Sequence, residues 1–243
     1  MNMNSVTKYY FVLKKIVGLI THLQRFLKKN RFFVLHFYQL EIKSMSEKVK
    51  NIAIFASGSG SNARKIIEYF EKNPSSKGSS QTIKVALVIS NKKDAGVLEI
   101  AKQHGIDTLM ISKSTFYETE NILKSLSDYN ISFIVLAGFL LLVPQYIISR
   151  FNKKIVNIHP ALLPKFGGKG MFGSHVHEAV KAAKETETGI TIHYCDEHYD
   201  EGSIIFQAKC PVSPNDSPQD IARKVLALEH EHYAKVIERV LTE

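Results

Sequence analysis

Residues 156–164 have the sequence Val156-Asn157-Ile158-His159-Pro160-Ala161-Leu162-Leu163-Pro164. The pattern is typical of an apolar strand that contains two polar residues and ends at a proline. Asn157 and His159 are two positions apart, so their side chains leave the same face of an extended backbone. Pro160 cannot donate to a sheet ladder, which predicts that the pair lies at a strand's C-terminal end, where open α/β sheets bind ligands. An amide and an imidazole there indicate a reaction site, and the alternative is a strand-end turn with a structural histidine.

Strand and helix patterns alternate on the N-terminal side of this stretch. Apolar runs at 51–56, 83–89, 108–111 and 133–137 are separated by helical patterns, which include 95–104 and 114–129. Such an order predicts right-handed crossovers and a parallel sheet. Downstream, 188–195 alternates with period two and is expected to pair with 202–209 as an antiparallel hairpin.

A long final helix follows the hairpin. Ser217-Pro218-Gln219-Asp220 has an N-cap, a proline at the first helical position and an acid in the first turn. Its predicted buried stripe is Ile221, Val225, Leu228, His232, Val236 and Val240. The expected fold is α/β: a Rossmann-like, mostly parallel seven-stranded sheet with an antiparallel C-terminal hairpin and helices on both faces.

A glycine loop, Ser57–Asn62, connects the first strand to the first helix. Glycines there let backbone amides point at an anion, which the helix dipole favours. Gly58-x-Gly60-x-x-Ala63 also fits the loose dinucleotide pattern. The second strand, however, ends in Ser90-Asn91-Lys92-Lys93 without a carboxylate for a ribose diol. A mononucleotide or sugar phosphate is therefore favoured, while a dinucleotide and a purely structural turn remain open.

Three other segments belong to the same predicted edge of the sheet. The turn 138–144, Gly-Phe-Leu-Leu-Leu-Val-Pro, forms either core or the wall of a pocket for a flat organic cofactor. Asp200, in the hairpin turn, is the candidate acid that would raise the pKa of a nearby imidazole. The loop 165–173 contains four glycines and is either a mobile flap over the site or a connector.

Charge and composition limit the classes of function. Residues 1–44 hold eight Lys or Arg residues and a single acid, so only +2 of the net charge of +9 remains for residues 45–243. With this nearly balanced charge we expect no nucleic-acid binding surface on residues 45–243. No apolar run is long enough to span a membrane. We expect no metal site either, because His175 and His177 are poorly spaced for ligation. Residues 1–44 are interpreted as a translated basic leader before Met45, with a targeting segment as the alternative. The remainder, 45–243, is expected to be a single cytoplasmic domain with two unpaired cysteines.

The order of motifs resembles the phosphoribosylglycinamide formyltransferase family, folate-dependent enzymes of purine synthesis, across residues 50–241. The resemblance rests on SGSGSN after the first strand, LAGF after the fourth, NIHPALLP in the fifth, and His193 seven residues before Asp200. It departs from the family's usual pattern at Leu141, where other members often carry Arg, and in the glycine-rich loop 167–173. These departures concern the folate side more than the chemistry.

The resemblance implies a role for each part of the site. The catalytic residues would be Asn157, His159 and Asp200, with Asp200 keeping His159 protonated and helping to relay the proton of the attacking amine. The glycinamide substrate would be held at its phosphate and ribose by Gly60, Ser61, Asn62 and Glu229. The pocket for the co-substrate 10-formyltetrahydrofolate would be lined by Leu140, Leu141, Leu142, Val143 and Asn157.

Three rival functions are weighed against this one. A transfer-RNA formyltransferase would need an added RNA-binding domain after the last helix, and a formyltetrahydrofolate hydrolase would need an N-terminal regulatory domain. A non-catalytic nucleotide-binding module would use the glycine loop but would have no use for Asn157, His159 and Asp200 together. The expected partners are small-molecule substrates only, and the expected assembly is a monomer or a homodimer.

Overall fold

A computed structural model describes residues 49–74 and 81–243. The predicted leader, 1–44, lies outside these residues. Within them, seven strands form one sheet: β1 (Val49–Phe55), β2 (Thr82–Ser90), β3 (Asp107–Met110), β4 (Ile131–Leu136), β5 (Ile155–His159), β6 (Glu187–Tyr194) and β7 (Ile204–Pro211).

The strand order confirms the predicted fold. The sheet runs β3-β2-β1-β4-β5-β6-β7; β1 to β5 pair in parallel, and β6 is antiparallel to both β5 and β7. The order reverses between β1 and β4, and ligands of open α/β sheets bind beyond the carboxyl ends of strands at such a point. The glycine loop after β1, the leucine turn after β4 and the end of β5 therefore share one edge.

Helices cover both faces of the sheet. The helices are α1 (Ser61–Lys72), α2 (Gly96–Gln103), α3 (Lys113–Glu118), α4 (Asn121–Asp128), α5 (Gln145–Arg150), α6 (Ser174–Ala182) and α7 (Pro218–Thr242). Apolar side chains of α1, α2, α6 and α7 belong to one core cluster, and those of α3, α4 and α5 belong to a second. Fully burying one such side chain contributes about 1.5–3 kcal/mol, so the two clusters hold the helices against the two faces of the sheet.

The single helix predicted over 114–129 is wrong, because two helices occupy this segment. Thr119 has an extended backbone (φ −136°, ψ 155°) that ends α3, and α4 begins at Asn121. The Ser112 side chain forms a capping box with Thr115, which starts α3 without help from an acidic residue. Phe116 on α3 and Ile122 and Leu126 on α4 are all buried, so the apolar pattern in the sequence continues across the break between the two helices.

The start of α7 is confirmed, but part of its predicted buried stripe is wrong. Ser217 and Asp220 form a capping box with Pro218 in the first turn. After Val225 the buried positions continue at Glu229 and Tyr233, not at Leu228 and His232. The i, i+4 spacing from Val225 to Glu229 and Tyr233 is regular, but a charged residue in a buried position breaks the apolar pattern from which such a stripe is predicted.

Candidate active site

The glycine loop forms the N-terminus of α1. Gly60 is the N-cap in a left-handed conformation (φ 81°), and a Cβ at this position would lie 2.7 Å from the Cα of Val97. Only glycine satisfies both the backbone angle and the close approach. Within the described chain no side chain caps this end of α1, so the amides after Gly60, including those of Ser61 and Asn62, remain available to an anion.

Glu229 lies on the opposite side of this loop, on α7. The Asn62 amide Nδ2 donates to Glu229 Oε2 at 2.6 Å, and only 8% of Glu229 is exposed. Burial raises the pKa of Glu229, although the hydrogen bond from Asn62 acts in the opposite direction. Asn62 Oδ1 is buried and has no partner among the described residues. The structure thus brings together two predicted substrate-binding residues, and Asn62 Oδ1 can still accept a hydrogen bond from a ligand.

The leucine turn is attached to the glycine loop through Ser57. The Ser57 hydroxyl donates to Asn91 Oδ1 at 2.6 Å and accepts from the Leu140 amide at 3.0 Å. Leu140 is 40% exposed, Leu141 and Leu142 are half-buried, and Val143 is buried. The apolar turn therefore presents its first leucines at the surface of the site while Val143 anchors it in the core.

Tyr117, which no sequence motif indicated, also lies at this turn. Its hydroxyl donates to the Leu142 carbonyl at 3.0 Å, and 42% of the residue is exposed. An exposed aromatic residue at the start of a helical pattern gave no signal in the sequence, since its partner is a backbone carbonyl. Tyr117 extends the apolar wall onto α3.

Strand pairing places the catalytic candidates. In the antiparallel β5–β6 pair, Asn157 lies opposite His193 and His159 lies opposite Thr191. Directly opposed residues of an antiparallel pair have Cβ atoms about 4.5–5.5 Å apart. Asp200 comes from the β6–β7 turn, where it has a left-handed backbone (φ 58°). Asparagine, histidine and aspartate therefore meet although 43 positions separate Asn157 from Asp200.

The Asp200 carboxylate is the centre of this cluster. Oδ1 lies 3.5 Å from Asn157 Nδ2 and 3.6 Å from His193 Nε2. Oδ2 lies 3.4 Å from His159 Nδ1 and accepts the Gly168 amide at 3.0 Å. The side chains of His159 and Asp200 are only 4% and 11% exposed, so their charges interact with little screening by solvent.

The protonation states differ from the expectation that Asp200 keeps His159 charged. Burial lowers the pKa of His159 below its ordinary 6.5, although the Asp200 charge and the Phe166 carbonyl act to raise it. For Asp200, burial acts to raise the pKa, but the neighbouring His193 ring, the charge of His159 and the hydrogen bond from the Gly168 amide outweigh it and lower the pKa. In the free protein at neutral pH the pair is therefore an ionised carboxylate beside a neutral imidazole.

The glycine-rich loop contacts both members of this pair. The carbonyl of Phe166 accepts a hydrogen bond from His159 Nε2 at 2.8 Å, and Gly168 donates to Asp200. Because a carbonyl only accepts, the proton of neutral His159 resides on Nε2. The start of the loop is thus part of the site, and the sequence alone left it open as a flap or a connector.

A buried hydrogen-bond network fixes the chain after β5. The Thr191 hydroxyl donates to the Ala161 carbonyl at 2.7 Å and accepts from the Leu163 amide at 3.0 Å. Gln207 Nε2, on β7, lies 2.9 Å from the same hydroxyl and 3.1 Å from the Leu163 carbonyl. The proline-rich segment after His159 is therefore bonded to both strands of the hairpin, a role that its apolar sequence did not reveal.

Tyr233 joins α7 to the ends of two strands. Its buried hydroxyl donates to the Leu136 carbonyl at 2.8 Å and lies 3.3 Å from the Val156 carbonyl. Leu136 ends β4, and Val156 precedes Asn157 on β5. Tyr233 lies one helical turn after Glu229, so the same helix contributes to both parts of the site.

Residues 49–74 and 81–243 contain neither a metal-binding cluster nor a membrane-spanning helix. No group of three or more His, Cys, Asp or Glu side chains in this part of the chain is arranged to hold a metal ion. No helix of the same residues has the length and apolar character required to cross a bilayer.

The fold and this constellation define a formyl-transfer class of α/β protein. The profile of the formyl transferase family matches residues 50–237, and the chain belongs to that family.

Among its relatives, phosphoribosylglycinamide formyltransferase is the recurring name. The chloroplastic phosphoribosylglycinamide formyltransferase of Arabidopsis thaliana is 38% identical over 210 residues, which cover 84% of this chain and 70% of the relative. The chloroplastic enzyme of the same name from Vigna unguiculata is 38% identical over 198 residues, 80% of this chain and 62% of that protein. The crystal structure of phosphoribosylglycinamide formyltransferase from Bacillus halodurans superposes with a TM-score of 0.70 at 34% identity, covering 80% of this chain and 96% of the other.

Proposed function

We propose that the protein transfers the formyl group of 10-formyltetrahydrofolate to the amino group of 5-phosphoribosylglycinamide. The products are the formylglycinamide ribonucleotide and tetrahydrofolate, in the synthesis of purines. The observation that carries the proposal is the Asp200 carboxylate held 3.4 Å from His159 and 3.5 Å from Asn157 at the carboxyl end of β5. The substrate is inferred from the relatives, which are phosphoribosylglycinamide formyltransferases.

The two ends of the glycinamide substrate suit the two sides of the α1 N-terminus. The phosphate would accept hydrogen bonds from the backbone amides of Gly60, Ser61 and Asn62, aided by the helix dipole. The ribose hydroxyls would donate to Glu229, whose carboxylate Asn62 already orients. Hydrogen bonds to charged groups contribute about 1.5–3 kcal/mol each, so these residues can supply much of the affinity for this substrate.

The folate co-substrate would occupy the opposite side of the switch point. Leu140, Leu141, Leu142 and Val143 form an apolar surface of the kind that flat heterocycles bind. Asn157 lies two strands from the glycine loop, with β4 and its leucine turn between them. The formyl carbon would therefore lie between the leucine turn and the end of β5. The proposed reaction requires no metal ion.

The chemistry is an acyl transfer with a proton relay. The substrate amine attacks the formyl carbon, a carbon–nitrogen bond forms, and negative charge develops on the formyl oxygen. The proton lost by the amine must reach the folate nitrogen as the bond to that nitrogen breaks. The unprotonated Nδ1 of His159 can accept this proton by way of water, and the ionised Asp200, 3.4 Å from that nitrogen, stabilises the imidazolium that forms. The imidazolium then returns the proton, again by way of water, to the folate nitrogen as its bond to the formyl carbon breaks.

The cellular setting is proposed from the same considerations. The protein would act on small molecules, as a monomer or a homodimer in the cytoplasm, and residues 45–243 would be the catalytic domain. The intact mass of the natively expressed protein tests the leader, because a species that begins at Met1 removes the proposed start at Met45. Size-exclusion chromatography with light scattering tests the assembly.

The decisive experiment is a direct assay of formyl transfer. Purified protein is mixed with 10-formyltetrahydrofolate and the glycinamide ribonucleotide, and the formylated product is identified by mass spectrometry. We expect transfer by the wild type and a loss of most of the rate in Asn157→Ala and in His159→Ala, with unchanged circular dichroism. Full activity in His159→Ala would contradict the mechanism. Tight NADP binding without formyl transfer would contradict the proposed function and favour a dinucleotide-binding module.

A further inference from the structure

His193 is a buried histidine that the proposed mechanism does not use. It is 2% exposed and lies opposite Asn157 in the β5–β6 pair. Its Nδ1 is 2.9 Å from the carbonyl of Tyr194. A carbonyl oxygen can only accept a hydrogen bond, so Nδ1 carries a proton. In the neutral ring, Nε2 is then an unprotonated acceptor that requires a donor.

The donor for this nitrogen is the amide of Asn157. Asn157 Nδ2 lies 3.2 Å from His193 Nε2 and 3.5 Å from Asp200 Oδ1. Both neighbours are acceptors, and an amide nitrogen has two protons to donate. If the amide were rotated by half a turn, its oxygen would face two acceptors in a buried site, which is strongly unfavourable. The network therefore determines which end of the Asn157 amide faces the reactants.

We propose that His193 is a positioning residue that fixes the orientation of the Asn157 amide, so that Asn157 presents Oδ1 to the attacking amine. The inference rests on the proposed function and deepens it, since it assigns Asn157 the role of an acceptor for the nucleophile. An amine held by this oxygen approaches the formyl carbon with its lone pair directed, which is where orientation contributes most to rate.

Two substitutions of similar size separate this role from simple packing. In His193→Gln the longer side chain reaches the position of Nε2, and its oxygen accepts from Asn157. In His193→Asn the amide nitrogen can still donate to the Tyr194 carbonyl, but the side chain is too short to reach Asn157. We expect His193→Asn to lose roughly five- to thirtyfold in kcat, the value of about one hydrogen bond to a reacting group. His193→Gln should keep at least about a third of kcat.

The KM values provide the structural control. Both variants should keep KM within about twofold for both substrates, because neither alters the residues proposed to hold phosphate, ribose or pteridine. On an Asn157→Ala background, His193→Asn should cause no further loss, since a positioning residue acts through the side chain that it positions. Equal kcat in the Gln and Asn variants, with both folded, would overturn the inference. A further loss on the Asn157→Ala background would overturn it as well.

The tautomer can be observed without any substrate. In protein labelled with nitrogen-15 at histidine, a long-range proton–nitrogen correlation spectrum identifies the protonated ring nitrogen, and His193→Gln assigns the signal. We expect protonated Nδ1 and unprotonated Nε2, and a proton on Nε2 would refute the network. If the wild type does not formylate the glycinamide, the proposed function fails while the tautomer remains testable. If the wild type is active and His193→Asn matches it, only the role of His193 fails.

Discussion

Replacement of Asp200 by asparagine tests the centre of the site with little change in shape. The backbone of Asp200 is left-handed (φ 58°), a conformation that asparagine tolerates well. The new side chain can still accept the Gly168 amide. What is lost is one negative charge 3.4 Å from His159 Nδ1 and, because the amide nitrogen then takes the place of Oδ1, the acceptor 3.5 Å from Asn157 Nδ2.

The size of the effect follows from that distance. At an effective dielectric constant of about 20, two unit charges 3.4 Å apart attract by about 5 kcal/mol. The asparagine oxygen keeps part of this interaction as a dipole, and we take about half of it as lost, about 2–3 kcal/mol. Because His159 is neutral before the reaction and gains charge during it, the loss falls on the transition state. The expected result is a decrease of about 30- to 150-fold in kcat.

The assay is the steady-state rate of formyl transfer, followed by the change in folate absorbance when the formyl group leaves. Glu201→Gln is the matched control, because it neutralises a carboxylate in the same turn whose side chain is exposed. We expect it to retain wild-type kcat and KM. The reasoning is refuted if folded Asp200→Asn keeps more than about a third of kcat, or if both substitutions reduce the rate equally.

Three other perturbations address the remaining parts of the site. Glu229→Gln should raise KM for the glycinamide about tenfold or more, with an unchanged or higher melting temperature, since a buried carboxylate is removed; a change confined to the folate KM would contradict this. Gly60→Ala should lower the free energy of unfolding by at least about 2 kcal/mol, because it combines a left-handed backbone with a steric overlap. The control Gly58→Ala, whose Cβ would meet nothing within 4 Å, should melt as the wild type does, and equal melting of the two variants would refute the argument. The pH profile of kcat/KM should fall on the acid side with a midpoint below 6.5, because neutral His159 is required and burial lowers its pKa. In Asp200→Asn this midpoint should move lower still, and a shift to higher pH would show that Asp200 does not stabilise the imidazolium.

The sequence predicted those features that depend on local pattern. Pro160 cannot donate to a sheet ladder and so ends β5, and Gly60 lets the chain turn into α1 with its amides free for an anion. Both positions at the ligand edge of the sheet could therefore be predicted. The parallel order of β1 to β5 followed from strand and helix alternation. The match between the predicted and observed topology rests on these local signals.

The features that were missed depend on contacts between distant segments. His193 is one histidine in an alternating strand, and its role becomes visible only in the register that sets it opposite Asn157. Periodicity does not predict that Glu229 is buried, because a carboxylate within a buried stripe contradicts the usual pattern, and its partner Asn62 lies 167 positions away. The net pKa of His159 depends on burial, which outweighs the one charge that the sequence made evident. The balance between burial and charge that sets this pKa can be read only from the folded chain.

The hydroxyl of Tyr233 has a consequence for which substrates can react. It attaches α7 to the carbonyls of Leu136 and Val156, and Glu229 lies one turn away on the same helix. These contacts hold the carboxylate proposed for the ribose at a fixed distance from the strand that carries Asn157. A substrate analogue with one more methylene between sugar and amine could contact both Glu229 and Asn157 only if its nitrogen were displaced. Since a displacement of about 1 Å can cost about a hundredfold in rate, the enzyme would reject such an analogue by length, without any contact that recognises the extra carbon.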